Sequence, residues 1–445
     1  MTHSNLPALI LAAGCSAIQA GEPASVAPTP PLGWNSWDCY GTTVTEAEVK
    51  ANADYMATHL KQHGWQYIVV DIQWYEPNAR AHGYRPNAEL AMDPYGRLMP
   101  APNRFPSAAN GRGFKPLADY LHQKGLRLGI HIMRGIPRQA VRANLPVYDT
   151  KIRAADIADT NSTCAWNTDM YGVDMSRRGA QGCYDSIVKM YADWGVDFIK
   201  ADDIASPLHA EEIAALSQAI GKCGRRMVLS LSPGPADLTK AAFYAEHAQM
   251  WRVSDDFWDR WPDLRRNFAL LRDWAPYVRP GSWPDGDMLP LGRIGIRAER
   301  GDDRRTRFTL DEQRTLLTLC SIARSPLMFG GDLPSNDEFT LALITNDEVL
   351  AVNQKATGSR ELFSRGDQVA WVSDAPDRRS KYLAVFNVGD QGPADIRVNW
   401  SELGLPETCA LRDLWERKQM GPVRGGHVFP VPSHGAGLYK LTPTQ

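Results

Sequence analysis

The sequence shows no excess of either charge: 49 Lys and Arg stand against 51 Asp and Glu, a formal net charge of −2. That balance offers no electrostatic footing for nucleic acid or for an anionic membrane surface. No apolar run is long enough to cross a bilayer. The N-terminal one, Leu6 to Ala13, falls well short of the ~20 residues a spanning helix needs. No glycine-rich phosphate loop follows the first strand-like segment, which argues against a dinucleotide-binding sheet. The cysteines match no zinc spacing, and repeats, heptads and low-complexity tracts are missing beyond one short Pro/Ala stretch. What the chain does have is tryptophan, 14 copies in 445 residues, a length that points to two domains.

Residues 1–20 read as a signal peptide, with Ala20 the cleavage point before GEPASVAPTPP, and 21–29 as a Pro/Ala linker. The segment before the apolar run holds His3 but no Lys or Arg. The run LAAGC, ending at Cys15, resembles a bacterial lipoprotein signal with Ala12 where Leu is usual. Export is the expectation, periplasmic or extracellular, with lipid anchoring through Cys15 as the open alternative. Cys164 and Cys183 flank one loop and could pair in an oxidising compartment; Cys223 and Cys320 read as buried free thiols.

From residue 30 to 355 helix and strand signals alternate. TEAEVKANADYMATHLKQHG precedes GWQYIVVDIQW, FKPLADYLHQKG precedes LRLGIHIM, QGCYDSIVKMYADWG precedes VDFIKADD, and HAEEIAALSQAIGKCG precedes RRMVLSLSP. In each unit a glycine stops the helix, and the strand is apolar without alternation, as in a parallel sheet buried on both faces. The number and spacing of units favour a closed (β/α)8 TIM barrel. Residues 356–445 change texture: QVAWVSDA, KYLAVFNVGD, ADIRVNW, ALRDLWERK and GGHVFPVPSHGAGLYKL are short, β-rich and broken by turn residues. They are predicted to form a C-terminal antiparallel β-sandwich, read as a structural companion of the barrel.

Two aspartates stand out. Asp202 follows the apolar strand Val196 to Ile199 and Lys200, where such barrels present reactive groups. Asp256 follows Arg252 by four residues in the aromatic-rich run MWRVSDDFWDRW. Carboxylates delivered from different strand ends and rimmed by tryptophan suggest glycoside cleavage, since indole faces suit the C–H face of a pyranose.

With these residues in view the chain resembles glycoside hydrolase family 27, the α-galactosidase and α-N-acetylgalactosaminidase family. The resemblance is carried by PPLGWNSWDCYG, DEQRTLLTLCSIARSPLMFGGDL and TNDEVLAVNQ in that order, and it spans nearly the whole mature chain. It implies Asp202 as nucleophile, in the run Lys200-Ala201-Asp202, where Ala201 stands for the family's aromatic. It implies Asp256 as general acid/base within Trp251, Arg252, Asp256, Asp259 and Trp261, with Asp255 as the fallback. It further implies Trp37, Asp71, Lys200, Arg252 and Asp287 as sugar-binding residues, the last within Trp283, Asp285, Asp287 and Met288. Retention then follows from one ionised carboxylate that attacks carbon 1 and one protonated carboxyl that serves the leaving oxygen. Lys200 is expected to favour the ionised nucleophile, and Phe257, Trp258 and Asp255 to raise the proton affinity of Asp256. No metal or organic cofactor is implied.

The departures concern the sugar. The family's second aspartate after strand two, which grips a 6-hydroxyl, is Ile72 here, in VVDIQWYE. β-L-Arabinopyranose equals α-D-galactose without the hydroxymethyl group, so Ile72 would tolerate or prefer the pentose, unless Gln73 or Tyr75 supplies the contact. His131 replaces a tyrosine and is expected to alter a pocket wall; Ser232 stands near the 2-position and could admit a 2-acetamido group. The expected substrate is an oligo- or polysaccharide with terminal α-D-galactosyl residues, β-L-arabinopyranosyl residues being the nearest alternative. α-N-Acetylgalactosaminides, isomaltosyl units of dextran and a non-catalytic carbohydrate-binding role follow.

Overall fold

The structure, a computed structural model, describes residues 26–444. The expected signal segment 1–20 and Cys15 lie outside the described residues. Eight parallel strands form the barrel: β1 (Leu32–Asn35), β2 (Tyr67–Val70), β3 (Arg127–Met133), β4 (Phe198–Asp202), β5 (Val228–Leu231), β6 (Met250–Arg252), β7 (Trp283–Asp285) and β8 (Leu327–Phe329). Their order is 7-6-5-4-3-2-1-8, and a single parallel bridge between Leu289 and Phe329 joins the end of β7 to β8 and closes the ring.

The helices between them follow from local signals. α1 (Glu46–Tyr55) starts at a capping box, in which the Thr45 side chain accepts from the Glu48 N–H and Glu48 Oε2 accepts from the Thr45 N–H at 2.9 Å. The chain leaves this helical stretch through Gly64, at φ +96°, a left-handed stop that glycine takes without a Cβ penalty. α2 (Lys115–Gln123) precedes β3. α3 (Ala180–Trp194) ends at Gly195, φ +87°, and α4 (Ala210–Lys222) leads to β5. α5 (Ala241–His247), α6 (Trp261–Trp274) and α7 (Leu310–Ala323) complete the ring, with α8 (Asp347–Lys355) after β8. No helix among the described residues is long and apolar enough to cross a membrane.

β9 (Thr357–Arg365) opens the second domain, followed by β10 (Gln368–Asp374), β11 (Lys381–Asn387), β12 (Ala394–Asn399), β13 (Thr408–Asp413), β14 (Lys418–Arg424), β15 (Gly426–Val431) and β16 (Ala436–Pro443). Six of them form one antiparallel sheet, ordered 9-10-11-16-13-14, and β12 pairs with β15 in a second. Strand alternation separates two cores. Ala370 and Val372 of β10 face the sandwich interior with Leu383, Ile396 and Phe429, whereas Val369 and Trp371 join the barrel-side core. α7 lies between that sheet and the barrel and is buried almost all round, which explains its unbroken run TLLTLCSIA.

All six described cysteines are free. Cys164 and Cys183 therefore do not form the disulfide entertained from their spacing. Each is buried apart: Cys183 on α3 near the Glu212 charge, Cys164 in a loop beside Asp203.

Candidate active site

Side chains two apart on a strand project to the same face. Lys200 and Asp202 thus share the inner face at the end of β4, while Ala201 is fully buried behind them. The same alternation turns Arg252 inward from β6 and sends Trp251 outward to stack on Tyr244 at 5.9 Å. At the C-terminal mouth these groups enclose a cavity of about 260 Å³, small even for a ligand pocket. Trp37, Asp71, Ile72, Lys200, Asp202, Ser232, Arg252, Asp256 and Asp287 all line it.

The nucleophile candidate has a partner on each of its carboxylate oxygens. His131 Nε2 lies 3.0 Å from Asp202 Oδ2, and the Asp203 N–H donates to Oδ1 at 2.9 Å. Burial alone would raise Asp202, but the His131 hydrogen bond and charge, then Lys200, outweigh it and hold the carboxyl well below the usual carboxylate range. Lys200 favours the ionised nucleophile as expected, through its charge and not a hydrogen bond, and the expectation for His131 is corrected. Lys200 does not hydrogen-bond Asp202; its Nζ donates to Asp71 Oδ2 at 2.8 Å, a site shared with Asn35 Nδ2 at 2.7 Å. His131 is no pocket wall; it is fully buried behind Asp202 as that residue's direct partner. Asp71, despite burial, is kept low chiefly by Lys200 and His131, so two carboxylates and one ammonium share the floor.

The acid/base candidate has a different setting. Asp256 is 38% exposed at the mouth, with Arg252 Nη2 at 3.2 Å from Oδ1 and Arg300 Nη2 at 3.8 Å from Oδ2. Phe257 and Trp258, the residues expected to desolvate it, are buried and line the same cavity, while the Asp256 carboxyl keeps its exposure at the mouth. Asp255 is exposed beside it and accepts the Asp256 N–H at 2.8 Å. Arg252 also binds Asp287 Oδ2 at 2.8 Å; burial would lower the guanidinium, but Asp287 and Asp256 keep it protonated.

Of the other family-pattern residues, Asp259 is a structural anchor, bound by Arg304 Nη2 at 2.6 Å and the Arg307 N–H at 2.9 Å. Trp261 stacks on His434 of the sandwich at 3.8 Å, and Trp283 donates to the Ala27 carbonyl. Asp285 lies beneath the site, pushed up to about 7 by burial and then by the Asp287 charge. Its folded state holds the proton more tightly than the unfolded chain, whose value is near 3.8. The stability linked to that proton is complete below the unfolded value and is lost as pH rises towards 7. Asp285→Asn is expected to flatten the loss of thermal stability over that window; melting curves from pH 4 to 8 check it, and an unchanged slope would refute the assignment.

Several lining residues were missed from sequence, Glu299 among them. Tyr84, from the long segment after β2, stacks on Trp37 at 6.1 Å and 17°, and Trp166, from the segment after β3, leans on Tyr84 at 5.3 Å. Neither sits in a recognisable motif. Arg300 lies in another such segment. Asp38 had a signal, its place beside Trp37 in GWNSWDCY. Its carboxyl is buried with neither oxygen hydrogen-bonded among the described residues, and burial, then Asp287, raise it well above the usual range.

An ionised carboxylate on the floor, a second carboxyl at the mouth and an aromatic wall beside them are the working parts of glycosidic-bond cleavage. The class is that of a glycoside hydrolase. Sequence profiles agree: that of α-galactosidase A matches residues 29–177 and 171–355, and that of the α-galactosidase C-terminal β-sandwich domain matches 365–441. The chain belongs to glycoside hydrolase family 27. Among solved structures, a family 27 β-L-arabinopyranosidase from Geobacillus stearothermophilus is 55% identical with a TM-score of 0.93, covering 94% of this chain and 97% of that one. A putative α-N-acetylgalactosaminidase from Bacillus halodurans C-125 is 50% identical with a TM-score of 0.85, over 94% and 98%. An α-galactosidase of Cyamopsis tetragonoloba is 29% identical over 428 residues, 93% of this chain and 86% of that protein.

Proposed function

We propose that the protein is a retaining exo-glycosidase that removes terminal β-L-arabinopyranosyl residues, with α-D-galactosyl residues as a slower substrate. The observation that carries this reading is Ile72. It lines the cavity with an apolar side chain. Neither side chain able to replace its missing carboxylate lines the cavity: Gln73 turns its Nε2 to Asp169 Oδ2 at 2.5 Å and Tyr75 its hydroxyl to the same oxygen at 3.1 Å. A 6-hydroxyl entering there would lose its hydrogen bonds to water without replacement, at about 1–3 kcal/mol. A pentopyranoside has no such group. The high identity to a protein described as a β-L-arabinopyranosidase supports the same choice over the α-galactosidases at lower identity. The α-D-galactosidase expectation is thereby moved to second place.

In the mechanism, Asp202 attacks the anomeric carbon as Asp256 protonates the leaving oxygen, forming a glycosyl ester with inverted configuration. Asp256 then deprotonates water, which attacks the same carbon and restores the original anomer. Lys200 and Asp71 are placed to bind ring hydroxyls beside the nucleophile, and Trp37 to pack on the sugar's C–H face. The small cavity suits one sugar ring, hence action at chain ends. The test is proton NMR during hydrolysis of 4-nitrophenyl β-L-arabinopyranoside, alongside the α-D-galactoside, α-N-acetylgalactosaminide and α-glucoside. β-L-Arabinopyranose as first product is expected; the α-anomer first, or no turnover of the arabinoside, would refute the reading.

A further inference from the structure

Asp203, directly after Asp202, is a buried non-glycine in the left-handed region, at φ +56°. Side chains other than glycine are strained there, Asn and Asp least. The turn aims the Asp203 N–H at Asp202 Oδ1, 2.9 Å away. Arg134, buried just past the end of β3, holds that turn. Its Nε donates to the Asp203 carbonyl at 2.7 Å and its Nη2 to Asp203 Oδ2 at 2.8 Å. Its main-chain N–H donates to the Asp202 carbonyl at 3.0 Å, so one residue grips the chain through both Asp202 and Asp203.

Arg134 is fixed in turn. Nη1 donates to Glu212 Oε1 at 2.8 Å and to Ser162 Oγ at 3.0 Å. Glu212 Oε2 accepts the Tyr184 hydroxyl at 2.5 Å and the Val173 N–H at 3.2 Å, which ties the cluster to α3 and α4. None of Arg134, Asp203 or Glu212 lines the cavity. A buried charge cluster is weak support for stability, because desolvation offsets most of its attraction. Its geometry has a more specific use.

We infer that Arg134 is a positioning residue: by clamping Asp203 in the left-handed turn, it keeps the Asp203 N–H on Oδ1 of Asp202. With His131 on Oδ2, that bond fixes the plane of the attacking carboxylate against the anomeric carbon. A glycine at 203 would take the turn without strain but would remove the carboxylate that Arg134 Nη2 grips, leaving only the main-chain contacts and a turn free to relax. The role rests on Asp202 being the nucleophile.

The test compares Arg134→Lys, Asp203→Gly, their double variant and Asp202→Asn on an aryl β-L-arabinopyranoside. Lysine keeps the buried positive charge but lacks the planar fork that spans the carbonyl and carboxylate of Asp203. Each single clamp variant is expected to lower kcat about tenfold, as misplacement of a reacting group does, with KM changed by less than about twofold. The acid limb of kcat/KM should move to higher pH, because hydrogen bonds to the ionised nucleophile are loosened. The double variant should be no worse than the poorer single one, since both break one clamp. Wild-type kcat and acid limb in Asp203→Gly would overturn the inference, even if Arg134→Lys failed to fold, and so would multiplicative losses in the double. Turnover in Asp202→Asn would instead refute the nucleophile assignment itself.

Discussion

Asp202→Asn is expected to lower kcat on aryl β-L-arabinopyranosides by on the order of 10⁴-fold or more, the scale on which loss of an essential nucleophile registers. The amide cannot form the glycosyl ester, and the partners that hold the carboxylate in place then face the wrong group. The Asp203 N–H donates to Oδ1, so asparagine must turn its NH₂ to the other side, where His131 Nε2 accepts it only after a change of tautomer. The loss should fall on kcat for every substrate, and circular dichroism should show the fold intact. Asp202→Ala with azide gives the complementary result: anion attack in the vacated space should yield α-L-arabinopyranosyl azide, the inverted product, at a rate above that of the variant in plain buffer. Near-wild-type turnover by Asp202→Asn would place the nucleophile elsewhere.

Ile72→Asp is expected to move the ratio of kcat/KM for arabinoside over galactoside towards galactose by about 10- to 100-fold. Two effects add. The new carboxylate offers the 6-hydroxyl the acceptor it lacks, worth about 1–3 kcal/mol. The same carboxylate is left without its hydroxyl partner when the pentoside binds, and sites built to hydrogen-bond a group discriminate strongly against analogues without it. Asp71 stands next door with Lys200 already attached, so the substitution places a second negative charge near one ammonium. Some loss of stability should accompany the switch, read as a lower melting temperature. Steady-state kinetics on the paired aryl glycosides decides the matter, and an unchanged ratio would show that residue 72 does not set the sugar.

Much of this was legible in the chain. The apolar strand that ends in Lys200 and Asp202 predicts reactive groups at the mouth of the barrel, and both line the cavity there. The helix–glycine–strand units predict the parallel barrel because its strands are buried on both sides and carry no alternation to confuse the reading. Three kinds of feature were hidden. Partner choice inside the site was one: Lys200 and His131 both stand within reach of carboxylates, and only the strand register, His131 beside Lys200, shows which takes which. Degree of burial was another, since Phe257 and Trp258 are buried in the cavity wall while Asp256, just before them, stays 38% exposed. Long loops were the third. Tyr84 and Trp166 reach the cavity from segments without periodicity, where neither spacing nor composition says which side chain points inward. The left-handed turn at Asp203 belongs with them, because aspartate in a strand-end run carries no mark of that backbone.

The central claim is that an apolar wall at Ile72 makes the pentose the better substrate. Competition between 4-nitrophenyl β-L-arabinopyranoside and α-D-galactopyranoside in one reaction gives the ratio of kcat/KM without separate enzyme titrations. Burial of an unpaired 6-hydroxyl calls for a ratio of roughly 10 or more in favour of the arabinoside. A ratio of one or below would contradict it.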